Sequence, residues 1–237
     1  MTPRYLPAGD AALVVEFGAA IDPALIAAVQ ALDRAVAAAR LPGVVETVPS
    51  FRSLMIHYDP LATSAAELAA SISALAPADT APESAGRNWL LPCCYDPAFG
   101  PDLDHVSAVT GLGPAEIAVA HAGADFTVAM LGFLPGCPFL AGLDQRFDLP
   151  RRTTPRTRLT AGSVAVALRL SVIYPTASPG GWHIIGNCPV PLFDPGRTPP
   201  ALLAPGDHVR FRAIDAAEHG RIGAAAGFDP VRECRQA

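Results

Sequence analysis

A chain of 237 residues, 51% hydrophobic and 16% charged, is long enough for one or two packed domains that need no disulfide or metal to hold them. Its net charge of -5 argues against nucleic acid as the main partner, because such binders present a basic face. No apolar run approaches the ~20 residues of a membrane span, and the opening M-T-P-R-Y-L-P-A-G-D lacks a basic or apolar leader region, so a cytoplasmic protein with no membrane contact is expected.

All 17 basic residues are arginine. Without lysine the chain has neither a P-loop lysine nor a Schiff base of its own, which leaves ATP or a carbonyl substrate to arginine, backbone N–H groups or another chain. The cysteines Cys93, Cys94, Cys137, Cys188 and Cys234 show no C-x-x-C pair and no zinc spacing, so reduced thiols and no metal site are expected. Cys137 reads as a small apolar filler in preference to a nucleophile.

In chain order, Ala11 to Phe17 predicts a strand after the Gly9-Asp10 turn. A helix follows, capped by Asp22 with Pro23 in its first turn, and Leu25, Ile26, Val29, Leu32 and Val36 share one face until Pro42-Gly43. Val44 to Val48 and Ser53 to Tyr58 read as strands, and the capping box Ser64…Glu67 opens a second helix. This β-α-β-β-α order predicts an α+β domain over 1–84 that resembles a ferredoxin-like split fold. Pro77 to Gly86 has no periodicity and reads as a linker.

The second domain, 85–237, begins with a strand at Asn88 to Leu91, then two short helices at Leu103 to Thr110 and Pro114 to Ala122. Phe126 to Leu131 leads as a strand into L-G-F-L-P-G-C-P-F-L-A-G, residues 131–142, read as an apolar loop that plugs a barrel end or walls a pocket. Short strands follow at 163–168, 172–174, 182–185 and 208–214. Twelve of the 25 prolines lie between 132 and 205, which suits a closed, mainly-β barrel. The residues after 214 read as an irregular tail with a short helix at most.

Two constellations stand out. The cluster Arg151, Arg152, Arg156 and Arg158 carries guanidinium forks suited to carboxylate or phosphate. The stretch Y-P-T-A-S-P-G-G-W-H-I-I-G offers Gly180 and Gly181 as a backbone anion nest, followed by Trp182 and His183, of which only one faces the barrel interior. His183 could serve as acid or base, but an outward-facing strand position is the favoured reading. His57, His105, His121, His208 and His219 are weaker candidates, and Asp102 or Asp104 reads as a helix cap. With no G-x-S-x-G, H-E-x-x-H or G-x-G-x-x-G, no catalytic residue is assigned.

Seven ordered segments from residue 9 to residue 212 carry a resemblance. They are G-D-A-A-L-V-V-E-F-G, V-P-S-F-R-S-L-M-I-H-Y-D-P, C-Y-D-P-A-F-G-P-D-L, L-G-F-L-P-G-C-P-F-L-A-G-L-D, P-R-T-R-L-T-A-G-S-V, Y-P-T-A-S-P-G-G-W-H-I-I-G and P-G-D-H-V-R-F. Together they resemble the family of allophanate hydrolase subunit 1 and the 5-oxoprolinase B subunit, a carboxyltransferase-domain family that includes KipI. The resemblance implies a C-terminal cyclophilin-like barrel and a larger partner subunit of the allophanate hydrolase subunit 2 or 5-oxoprolinase C-subunit type, with a third subunit in the 5-oxoprolinase case. It implies ATP-dependent opening of 5-oxo-L-proline to L-glutamate by that complex, with no ATP bound by this chain alone. Gly132, Phe133, Pro135 and Gly136 would then shape a cleft, Arg152 and Arg156 would hold a small carboxylate or amide substrate, and Gly180, Gly181, Trp182 and His183 would complete it.

Other family roles fit the resemblance as alternatives: a KipI-type inhibitor of a sensor histidine kinase, or half of a biotin-dependent urea or amide carboxyltransferase. The chain departs from the family's pattern at Asp96, at Cys137 and Phe139, and at Asn187-Cys188, which stand where an Arg-Thr pair is usual and so remove a charge from the cleft.

Overall fold

Two antiparallel strands open the chain, β1 (Arg4–Pro7) and β2 (Ala12–Glu16), in a computed structural model that describes residues 2–75, 86–225 and 228–236. Backbone contacts divide the chain into Met1–Ala85 and Gly86–Ala237. The linker expected at 77–86 lies, apart from Gly86, outside the described residues.

In the first unit, helix α1 (Pro23–Ala39) starts where Asp22 accepts the Ala24 N–H at 2.8 Å, and it buries Leu25, Ile26, Val29 and Val36. It stops at Arg40, whose φ of 46° is left-handed, two residues before Pro42. Strands β3 (Val44–Pro49) and β4 (Ser53–Tyr58) form a hairpin, and α2 (Ala65–Ala74) begins with the Ser64–Glu67 capping box. The sheet order is β1-β2-β4-β3, all antiparallel, with Leu13, Val15, Leu54 and Ile56 against the helices' apolar faces. β4 therefore lies between β2 and β3, as in a split β-α-β unit. The fourth place is filled by β1 from the N-terminal side, which differs from the ferredoxin-like order, where a strand after the second helix fills it. Pro3 and Pro7 bracket β1 and obscure so short an edge strand in the sequence.

The second unit is a closed barrel. Its strands are β5 (Asn88–Cys94), β6 (Phe126–Leu131), β7 (Pro138–Ala141), β9 (Ser163–Ala167), β10 (Leu170–Ile173), β12 (His183–Asn187) and β13 (His208–Ile214), with the ribbon strand β8 (Arg156–Leu159) between β7 and β9 in sequence. The order β12-β9-β10-β7-β6-β13-β5 closes through the pair Asn187–Cys94, making the seven-stranded cyclophilin-like barrel. β5 and β13 run parallel over seven residues, and Asp207, 3% exposed, anchors their starts. Its carboxylate accepts from Arg87 and from Trp89 Nε1 at 2.9 Å. Helices α3 (Leu103–Thr110) and α4 (Pro114–Ala122) cover the core with Leu103, Val106 and Ile117.

Two segments differ from expectation. Residues 131–142 are not one loop, since 138–141 form β7, paired with both β6 and β10. The apolar run is long because its end is a barrel strand, with Pro138 and Leu140 buried and Phe139 and Ala141 half-buried. The chain after 214 is also more ordered than expected: Asp215 caps α5 (Ala216–Ala224), Asp229 caps α6 (Pro230–Cys234), and β14 (Arg235–Gln236) pairs with the start of β5. α5 buries no residue, so helical hydrophobic spacing could not reveal it; its signal is the aspartate caps.

Candidate functional site

The loop that enters the site is internally bonded, which is how an apolar turn satisfies its backbone. Leu134 N–H donates to Gly132 O at 2.8 Å, Cys137 N–H to Leu134 O at 3.0 Å and Gly132 N–H to Cys137 O at 3.1 Å. Gly136 has φ 72°, and a Cβ there would sit 2.9 Å from Phe193 Cβ, so only glycine lets the loop lie on Phe193. Phe133 takes φ 69° without being glycine and is 64% exposed, a strained placement that presents its ring to a cleft.

That first cleft has a volume of about 280 Å³. Phe133, Phe139, Tyr174 and Trp182 wall it, with Phe139 edge-on to Trp182 at 5.7 Å and Phe133 edge-on to Tyr174 at 6.3 Å. Arg151, whose guanidinium lies 5.9 Å from the Trp182 ring, and Arg152 bring positive charge to it. Its backbone edge is Gly180 and Gly181, at the end of β11 (Ser178–Gly180), which pairs with β8. A Cβ on Gly180 would approach Leu159 Cδ1 to 2.5 Å and Tyr174 Oη to 2.7 Å, so a side chain here must displace those two buried side chains. Gly181 O accepts the Arg152 N–H at 2.7 Å.

Of the sequence-predicted residues, Phe133, Arg152, Gly180, Gly181 and Trp182 meet in this cleft. Gly132, Pro135 and Gly136 are not among its lining residues and set the course of the loop instead. Arg156 lines a second cleft, together with Arg158, Asn187 and His219, so the two arginines expected to share one ligand are divided between two clefts. His183 is not an outward-facing residue: it is 3% exposed, its Nε2–H donates to Pro150 O at 2.9 Å, and its ring stacks on His105 at 4.7 Å. Trp182 lies just before β12 rather than in it, so strand alternation does not govern the pair and both are buried.

Sequence reasoning missed the part played by Asp102. Asp102 is the N-cap residue of α3, but its side chain makes no cap hydrogen bond. At 4% exposure its Oδ1 instead accepts from Arg152 at 2.7 Å and Arg156 at 2.6 Å, and Oδ2 accepts the Ile184 N–H at 2.8 Å. The only sequence signal was an aspartate at a helix start, which a local cap explains equally well.

The lining of the first cleft offers no group that exchanges protons near neutral pH. Burial pushes the Cys137 thiol up to about 12, and the Tyr174 phenol likewise to about 12. Cys137 is the apolar filler expected. His121 is also withdrawn from chemistry: fully buried, its Nδ1 lies 2.7 Å from Tyr95 Oη and its Nε2 2.8 Å from Ser171 Oγ, and burial lowers it to about 3. Such a lining suits an apolar body that carries a negative group.

Among the described residues no helix is long and apolar enough to cross a membrane. A family model described as carboxyltransferase domain, subdomain C and D, matches residues 3–203. The B subunit of 5-oxoprolinase from Bacillus subtilis (strain 168) is 36% identical over 233 residues, covering 92% of this chain and 97% of that one. The B subunit of 5-oxoprolinase from Escherichia coli O157:H7 is 36% identical over 171 residues, covering 72% and 78%. The crystal structure of TTHA0988 matches 86% of this chain at 35% identity with a TM-score of 0.76, and this chain spans 40% of that protein. Kluyveromyces lactis urea carboxylase, 22% identical with a TM-score of 0.75 over 92% of this chain and 22% of its own, shares the fold. The chain therefore belongs to the carboxyltransferase-domain family, subdomains C and D, alongside relatives that are B subunits of 5-oxoprolinase by name.

Proposed function

We propose that this chain is a non-autonomous subunit of an ATP-dependent amide hydrolase complex of the 5-oxoprolinase type, and that its first cleft holds a small cyclic amide bearing a carboxylate. The observation that carries the reading is the convergence of four aromatic rings and two arginines on a cleft whose other titratable lining groups, Cys137 and Tyr174, are held near 12. The rings suit an apolar five-membered body, and the guanidinium groups suit its carboxylate. Arg152 is half committed to Asp102, which fixes its plane, while Arg151 lies over the Trp182 face. Arg156 drops out of the substrate clamp because it lines the other cleft.

Acid/base groups and the nucleotide site then come from partners: a larger subunit of the 5-oxoprolinase C-subunit type and, in a three-part complex, a further subunit. ATP is bound with those partners, not by this chain alone, which agrees with the absence of lysine from its sequence. The names of the relatives support the same reading. Co-expression with the larger subunit tests it: ATP turnover rises with 5-oxoproline in the complex, and Arg152→Ala lowers kcat/KM for 5-oxoproline.

A further inference from the structure

The second cleft, about 460 Å³ in volume, takes no part in the binding proposed for the first. Its lining includes Arg156, Arg158 and His219 and no carboxylate. Arg156 and Arg158 stand two residues apart on β8, which puts both side chains on one side of the strand. Arg158 is exposed and forms no ion pair among the described residues. Arg156 spends one N–H on Asp102, while its Nε is buried without a partner. Since Asp102 is shared with Arg152, one negative charge answers two positive ones there, and Arg158 adds another.

The far wall is arranged as a chain of donors. Asn187 Nδ2 donates to Ala161 O at 2.9 Å, which leaves Oδ1 to accept from His219 Nε2–H at 2.8 Å. The proton of neutral His219 is thereby placed on Nε2, and the ring is held 4.3 Å from Phe99. Asn187 itself stands on the strand that closes the barrel.

We propose that this cleft is a separate site for a small oxyanion, phosphate or carboxylate, bound by Arg158 and the uncommitted part of the Arg156 guanidinium, with Phe99 and His219 bounding its far side. A guanidinium without an ion-pair partner among the described residues, Arg158, beside one only partly committed, Arg156, in a concave wall lined by no carboxylate is an arrangement suited to charge-assisted oxyanion binding. The site is distinct from the first cleft, whatever that cleft takes.

Calorimetric titration of the full chain with inorganic phosphate, and separately with L-glutamate, at constant ionic strength tests it. Saturable binding of either anion is expected, and which of the two binds identifies the source of the oxyanion. Arg158→Gln should weaken it about tenfold, the loss of one charge-assisted contact. The same variant should leave Tm in place, because Arg158 has no ion-pair partner among the described residues. Arg34→Gln, an equal charge loss on the exposed face of α1, should leave affinity unchanged. Absence of saturable binding with both anions, or equal weakening by Arg158→Gln and Arg34→Gln, would overturn the proposal.

Discussion

Arg152 and Arg156 donate to one and the same oxygen, Asp102 Oδ1, at 2.7 and 2.6 Å. Two guanidinium groups brought this close repel, and the buried carboxylate between them offsets that repulsion. Through Ile184 the same carboxylate ties the start of α3 to β12, so one side chain positions an arginine in each of the two clefts. Asp102→Ala should therefore destabilise the fold by roughly 3 kcal/mol, while Asp102→Asn, which keeps one acceptor oxygen, should cost less. Urea unfolding midpoints measure both; equal midpoints for wild type and Asp102→Ala would remove Asp102 from this role.

Gly180 and Gly181 should respond differently to the same substitution. An alanine Cβ at 180 meets Leu159 at 2.5 Å and the Tyr174 hydroxyl at 2.7 Å, whereas at 181 its nearest neighbour is Pro155 Cγ at 3.6 Å, ordinary contact. Gly180→Ala should cost about 1–3 kcal/mol by overpacking, and Gly181→Ala less than about 0.5 kcal/mol. Thermal melting of the two variants side by side reads the difference.

His121 supplies a pH dependence. Its folded value of about 3 lies below the usual 6.5, because burial disfavours the charged ring. As pH falls through that window the unfolded chain takes up a proton that the folded chain refuses, so this contribution to stability is present above 6.5 and is lost toward 3, by up to about 1.4 kcal/mol per pH unit. His121→Asn should lower stability by about 2 kcal/mol near neutral pH, through the broken Tyr95–His121–Ser171 chain, yet flatten the acid slope. Urea midpoints across this range check the sign.

The hairpin joining β9 to β10 turns on Leu168 and Arg169 alone, at φ 53° and 61°. Two consecutive left-handed residues make a type I′ turn, for which asparagine and glycine are the usual occupants. Leu168 is 42% exposed, so little packing opposes a change. Leu168→Asn should stabilise the chain by about 0.5–1 kcal/mol by relieving left-handed strain, seen as a rise in Tm.

What was legible in the sequence was local. Helices α3 and α4 and strand β13 begin and end where spacing, proline and glycine placed them, and the Ser64 capping box forms as written. What was not legible depends on distance along the chain. Nothing near Asp102 announces arginines 50 and 54 residues away, and nothing in P-R-T-R tells that Arg156 leaves the cleft that Arg152 enters. The burial of His183 is not legible from strand alternation, because Trp182 precedes the strand and the two residues do not alternate within it. Residues 138–141 read as loop because their glycine and proline neighbours outweigh a four-residue apolar run of which Phe139, Leu140 and Ala141 pair on both edges.

The proposed binding of a carboxylate-bearing cyclic amide in the first cleft, for chemistry completed by a partner subunit, is tested most directly by steady-state ATP turnover of the complex reconstituted with the larger subunit, with and without 5-oxoproline, for wild type and Arg152→Ala. Stimulation by 5-oxoproline is predicted only when both subunits are present, with kcat/KM lowered about 10- to 100-fold by Arg152→Ala, the loss of one charge-assisted contact. Unchanged kcat/KM in that variant, or full stimulation without this chain, would contradict it.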